Sequence, residues 1–110
     1  MAEALKLVSR NDVKSEIVAG GSYVTITQNP SLEALVDIMG LGLGYIREEK
    51  KGLRIGATTI VQDILESPAV AKFASGILTQ ACSTFASRTI RSSVTIGGNC
   101  LWPRPWSDIT

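Results

Sequence analysis

Apolar and polar residues follow two rhythms along this chain, and the changes between them mark its elements. In "AEALKLVSR", Ala2 to Arg10, the apolar positions recur at helical spacing, which predicts a short amphipathic helix. "SEIVAGG" predicts a strand that ends in a glycine turn. "LEALVDI" starts with helix-forming residues and closes on a buried strand at Leu35 to Ile38. "GYIREE" and "GLRIGA" predict a hairpin turning at Lys50 to Gly52. "TTIVQDILESP" predicts a helix with Thr58 or Thr59 as N-cap and Pro68 beyond its end. A third helix is expected over about Ser75 to Ala86, with Ile77, Leu78, Ala81, Cys82 and Phe85 on one face. The alternation in "SVTIGG" predicts a final strand. The fold class is therefore α/β (α+β): a small mixed sheet with flanking helices and glycine turns at its edge.

Composition narrows the chemistry. The 110 residues suffice for one modest core, and 45% hydrophobic with 19% charged residues is the balance of a globular chain. Eleven basic and ten acidic residues are mixed along the sequence, so no basic stripe points to nucleic acid. No apolar run approaches the roughly 20 residues of a membrane span. The start "MAEALKLVSRND" lacks a signal-peptide pattern, which makes the cytoplasm the expected location. With no histidine, triads built on His and His-ligated metals are excluded from these residues. Cys82 and Cys100 have no CxxC companion and are expected to be packed thiols. Any redox cofactor must then be held mostly by backbone and small side chains.

Three glycine-bearing turns fit that requirement. Ala19-Gly20-Gly21-Ser22 follows the strand Glu16 to Val18, and its successive N–H groups can form a nest for a phosphate. Gly56-Ala57-Thr58 leads into a helix. Gly97-Gly98-Asn99 combines a close-approach backbone with an Asn that offers a donor and acceptors. Taken singly, each turn also has a plain structural reading as a turn or a capped helix start. "GLGLG", Gly40 to Gly44, is rejected as a dinucleotide fingerprint, because Tyr45 stands where G-x-G-x-x-G needs its third glycine and the polar "REEKKG" after it reads as a hairpin arm.

In order and spacing, "IVAGGS", "LVDI", "GLRIGATT…ILESPAV" and "RTIRSSVTIGGN…SD" resemble the flavin-binding (medium) subunit of the molybdenum hydroxylases. That family includes the medium subunit of aerobic carbon monoxide dehydrogenases and the FAD domain of xanthine dehydrogenases. The resemblance runs from about Ile17 to Asp108, and its most distinctive block is "RxxxTIGGN". It implies FAD as cofactor and an FAD-binding PCMH-type fold. Its first glycine loop, Ile17, Val18, Ala19, Gly20, Gly21, Ser22, Tyr23 and Val24, would wrap the pyrophosphate. Val94, Thr95, Gly97, Gly98, Asn99 and Leu101 would approach the cofactor from another side, and Ser107 and Asp108 would bind ribityl or ribose hydroxyls. No catalytic residue and no metal ligand is implied.

The resemblance also implies partners. Electrons would arrive from the iron–sulfur clusters of one subunit, which serves a molybdopterin subunit, and leave the flavin for quinone, NAD or oxygen. The departures are specific. Ser22-Tyr23 stand where members often carry Thr-Asp, and Trp102, Arg104 and Trp106 stand where small residues are usual. The family's FAD region continues beyond Asp108 and has a strand before its first helix. A partial domain, incomplete at both ends, is therefore expected: residues 1–50 as a small first subdomain and 51–110 as the start of a second. DNA downstream is expected to encode the rest, and unpaired sheet edges are expected to drive homo-oligomerisation. The alternative is a non-catalytic remnant that folds as an oligomer without flavin. An enolpyruvyl-reductase-type relative ranks below both, because no catalytic Ser or Glu pattern can be placed.

Overall fold

The computed structural model describes residues 1–21, 29–84 and 87–101. Helix α1 (Ala2–Val8) leads into strand β1 (Ser15–Val18), which pairs in parallel with β2 (Ala34–Asp37), Val18 lying opposite Asp37. A one-turn 3-10 helix (Met39–Leu41) follows, and Gly42, at φ 70°, ends it in the left-handed conformation. Strands β3 (Ile46–Glu49) and β4 (Gly52–Ile55) form the expected hairpin, with Ile46 opposite Ile55. Helix α2 (Val61–Glu66), α3 (Pro68–Lys72), a 3-10 turn (Phe73–Gly76), α4 (Ile77–Ser83), α5 (Arg88–Arg91) and α6 (Ile96–Leu101) complete the order. The α/β content is as expected. Among the described residues, however, the strands form two separate two-stranded sheets, one parallel and one antiparallel. They do not join into one mixed sheet.

The core lies in the C-terminal half. Val61, Ile64, Val70 and Cys82 are fully buried, Val94 nearly so, and Ile46, Leu53, Ile55, Leu65, Leu78 and Ile96 pack against them. Helix α2 supplies Val61 and Ile64 at i, i+3 spacing, which puts both on its inner face. The first hairpin arm thus belongs, through Ile46, to this core, although it precedes residue 51. Burial holds the Cys82 thiol above its ordinary pKa, with nearby Arg91 opposing the shift, so Cys82 is a protonated packing residue. Cys100, expected to be packed, is exposed instead.

Four local expectations are corrected. Thr58 and Thr59 do not cap α2: Ile60 stands at the N-cap without a side-chain bond, because the Thr59 hydroxyl is engaged by Tyr45. Pro68 does not merely follow a helix but opens α3 at its first position, where its fixed φ and missing N–H cost nothing. The third helix begins at Ile77 rather than near Ser75, because Ala74 (φ 46°), Ser75 (φ 58°) and Gly76 (φ 75°) are left-handed. Its inner face carries Cys82 with half-buried Leu78 and Ala81, while Ile77 is exposed; Phe85 lies outside the described residues.

The final strand is the most informative correction. Only Thr95 pairs, in an isolated antiparallel bridge with Ile60, and the chain turns into α6 at Ile96. Thr95 starts the helix as its cap, its Oγ1 accepting from the Gly98 N–H at 3.2 Å.

Candidate glycine-turn cofactor site

The parallel pairing of β1 and β2 carries Ala19-Gly20-Gly21 to the C-terminal end of the pair, where open α/β sheets place ligands. The turn lies against the approach to α6. A side chain at Gly20 would drive its Cβ into the Ser93 carbonyl, with the Val94 nitrogen 3.6 Å away. Gly21 adopts φ 76°, the left-handed conformation of an anion-binding nest. Among the described residues, the N–H groups of Ala19, Gly20 and Gly21 donate to no group. Gly20 is exposed, and Ala19 and Gly21 half-buried. A row of backbone donors without a described acceptor fits a diphosphate, which needs donors more than side-chain bulk.

The second glycine pair is held differently. Ile96 donates its N–H to the Thr59 carbonyl at 2.9 Å, and Gly97 donates to the Ala57 carbonyl at 2.9 Å. Gly98 donates to Thr95 Oγ1, and Asn99 to the Thr95 carbonyl at 3.1 Å. The first N–H groups of α6, which a helix start normally leaves over, are therefore all taken. Gly97 is glycine for packing: a Cβ there would lie 2.6 Å from the Ala57 oxygen and 2.9 Å from the Ala57 Cβ. Gly98 differs. It is exposed, and among the described residues a Cβ would meet only Thr95 Oγ1, at 3.1 Å.

The expected site residues therefore separate into groups. Gly20 lies against Ser93 and the Val94 nitrogen, which brings the first turn to the approach of α6, whereas Gly97 lies against Ala57 and Gly98 beside Thr95. Ile17 is 43% exposed in β1, and Val18 is half-buried beside Asp37. Val94 belongs to the core and Thr95 is 3% exposed, so their side chains serve the protein. Leu101, at 68% exposure, ends α6. Ser22, Tyr23, Val24, Ser107 and Asp108 lie outside the described residues, as do Trp102, Arg104 and Trp106.

Gly56-Ala57-Thr58, weighed as a third ligand turn, supports the others. Gly56 is buried, and a Cβ on it would overlap the Leu43 carbonyl and approach Tyr45 Cε1 at 2.8 Å. Thr58 and Thr59 are 3% and 4% exposed. Sequence reasoning missed Thr59 and Ser93 as parts of this arrangement. The doubled Thr before an apolar helix was the available signal, and it was spent on a capping assignment. No helix among the described residues is long and apolar enough to cross a membrane.

The chain matches over residues 1–110 the family model for the FAD binding domain in molybdopterin dehydrogenase. Among solved structures it is similar to carbon monoxide dehydrogenase from Hydrogenophaga pseudoflava lacking the Mo-pyranopterin moiety, with 31% identity and a TM-score of 0.78. That match covers 89% of this chain and 35% of the other. Reconstituted CO dehydrogenase from Oligotropha carboxidovorans matches at 32% identity and TM-score 0.77, with the same coverage of 89% and 35%. Quinoline 2-oxidoreductase from Pseudomonas putida 86 shares the fold, at 24% identity and TM-score 0.79, over 90% of this chain and 35% of that one. No curated protein sequence matches. The chain thus spans about a third of the matched chains' length, 35% in each case.

Proposed function

Because the chain belongs to the FAD-binding domain family of the molybdopterin dehydrogenases, we propose that it carries the diphosphate- and ribityl-binding half of an electron-transferring flavoprotein. FAD is the family's cofactor. When bound, it supplies one- and two-electron chemistry that no side chain here can supply. Electrons would pass from partner iron–sulfur clusters, themselves fed by a molybdopterin subunit, to an external acceptor.

The observation that carries this reading is that the N–H groups of Ala19, Gly20 and Gly21, at the C-terminal end of the parallel pair, donate to no described group. Those residues hold the diphosphate. Exposed Gly98 gives the rest of the cofactor close approach to the backbone, and Asn99 stands beside it. Ser22, Tyr23 and Val24 extend the first loop, and Ser107 and Asp108 accept hydrogen bonds from cofactor hydroxyls. Exposed Leu35 and Ile17, at 52% and 43% on opposite faces of the β1/β2 pair, and the pair's unpaired edges among the described residues support self-association. The 1–50 and 51–110 parts then cooperate, the first presenting Gly20 and the second Gly98.

Reconstitution with FAD followed by desalting tests the reading. A yellow protein with quenched flavin fluorescence is expected; complete loss of flavin from a folded protein overturns it.

A further inference from the structure

Thr59 sits at a junction that neither glycine turn reveals by itself. Its Oγ1 accepts from the Tyr45 N–H at 3.0 Å and lies 3.0 Å from the Tyr45 carbonyl, to which the hydroxyl donates. Its own carbonyl, on the other side, takes the Ile96 N–H at 2.9 Å. Two residues earlier, the Ala57 carbonyl takes the Gly97 N–H, also at 2.9 Å. The same short segment is fixed from behind by Thr58 N–H to the Leu43 carbonyl, 3.1 Å, and Gly56 N–H to the Tyr45 carbonyl, 2.9 Å. Thr59 is 4% exposed, so water cannot substitute for its hydroxyl without opening the packing.

We propose that Thr59 is a positioning residue for the cofactor: its hydroxyl ties residues 56–59 to the hairpin entry at Tyr45 and so fixes where α6 presents Gly98. The proposal rests on the FAD reading above for its consequence, not for its geometry. Thr59 touches nothing at the ligand side and acts through two carbonyls and two amides. The first glycine turn meets this assembly through Gly20, at Ser93 and Val94, and not at Thr59. Removing the tie therefore loosens the Gly98 side and leaves the diphosphate nest in place.

The test compares wild type, Thr59→Val and Thr59→Ser. Amide hydrogen exchange at Ile96 and Gly97, measured without ligand, reads the tie directly. Binding of FAD and of ADP, which carries the diphosphate but no flavin, reads its consequence. In Thr59→Val, exchange at both amides should rise about tenfold and FAD affinity should fall about tenfold, the scale of one lost buried hydrogen bond. ADP affinity should stay within about twofold, and Thr59→Ser should restore every value. If Thr59→Val fails to fold, Gly97→Ala replaces it, pressing on Ala57 from the α6 side while keeping the Thr59 hydroxyl. It should give the same loss of FAD with ADP retained. Unchanged exchange at Ile96 and Gly97 in Thr59→Val, or parallel loss of FAD and ADP, overturns the proposal. Wild-type protein that binds neither ligand overturns the FAD reading instead, and faster exchange in Thr59→Val then still supports the tie.

Discussion

At the end of β1, the N–H groups of Ala19, Gly20 and Gly21 donate to no described group, whereas at the start of α6 those of Ile96, Gly97 and Gly98 are all engaged. Both stretches contain Gly-Gly after an apolar strand-like run. In the first, glycine lets the backbone lie on the Ser93 carbonyl, and the N–H groups beside it have no described acceptor. In the second, Gly97 lets a helix start lie on Ala57, and Gly98 is the exposed glycine of the pair. The lesson is that a glycine pair shows only that something comes close. Whether that something is protein or ligand depends on who owns the hydrogen bonds.

The comparison can be broken most severely at Gly20. Gly20→Ala puts a Cβ into the Ser93 carbonyl, a backbone atom that cannot swing aside. A loss of about 1–3 kcal/mol of stability is expected, on the scale of overpacking, together with loss of FAD binding. Urea unfolding and flavin fluorescence read the two effects, and a wild-type midpoint would contradict the Gly20–Ser93 contact.

Gly98→Val should show the opposite balance. Among the described residues its Cβ meets only the Thr95 hydroxyl, so the fold should stay largely intact while the two methyl groups occupy the cofactor's approach and abolish binding. Unchanged FAD affinity in this variant would remove Gly98 from the site.

Smaller effects sharpen the contrast. Asp108→Ala, outside the described residues, should weaken FAD by about 1–3 kcal/mol if its carboxylate accepts from cofactor hydroxyls. Equal affinities in titrations of the two proteins would remove that role. Thr95→Ala deletes the cap that accepts from Gly98 and should cost about 1 kcal/mol of stability. Its effect on FAD should be the weakest of the four, since the diphosphate nest does not depend on the cap. Denaturant midpoints and flavin titrations of one preparation check both statements.

Much of this was legible in the sequence because periodicity reports burial. The hairpin over Ile46 to Ile55, the helix carrying Val61 and Ile64, and the strand before the first glycine turn all follow from spacing. What misled was period two in "SVTIGG". Three residues of alternation cannot distinguish a strand from a bridge followed by a capped helix, and two glycines argue against a helix on propensity. Tertiary packing on Ala57 and the Thr95 cap outweigh that cost. The role of the Gly56 turn was hidden for a related reason. A glycine needed for a ligand and one needed for a neighbouring carbonyl look the same until the neighbour, Leu43, is placed. The cofactor was legible only through the joint order of the turns, since no single turn distinguishes a phosphate nest from an ordinary bend.

The division of labour between the turns is the central claim, and backbone amide NMR tests it most directly. On titrating labelled protein with FAD, the resonances of Ala19, Gly20 and Gly21 should shift strongly downfield as their N–H groups gain phosphate acceptors. Ile96 and Gly97, bonded to Thr59 and Ala57, should keep their hydrogen-exchange protection. Strong downfield shifts and altered protection at Ile96 and Gly97, with Ala19 to Gly21 unmoved, would contradict the account.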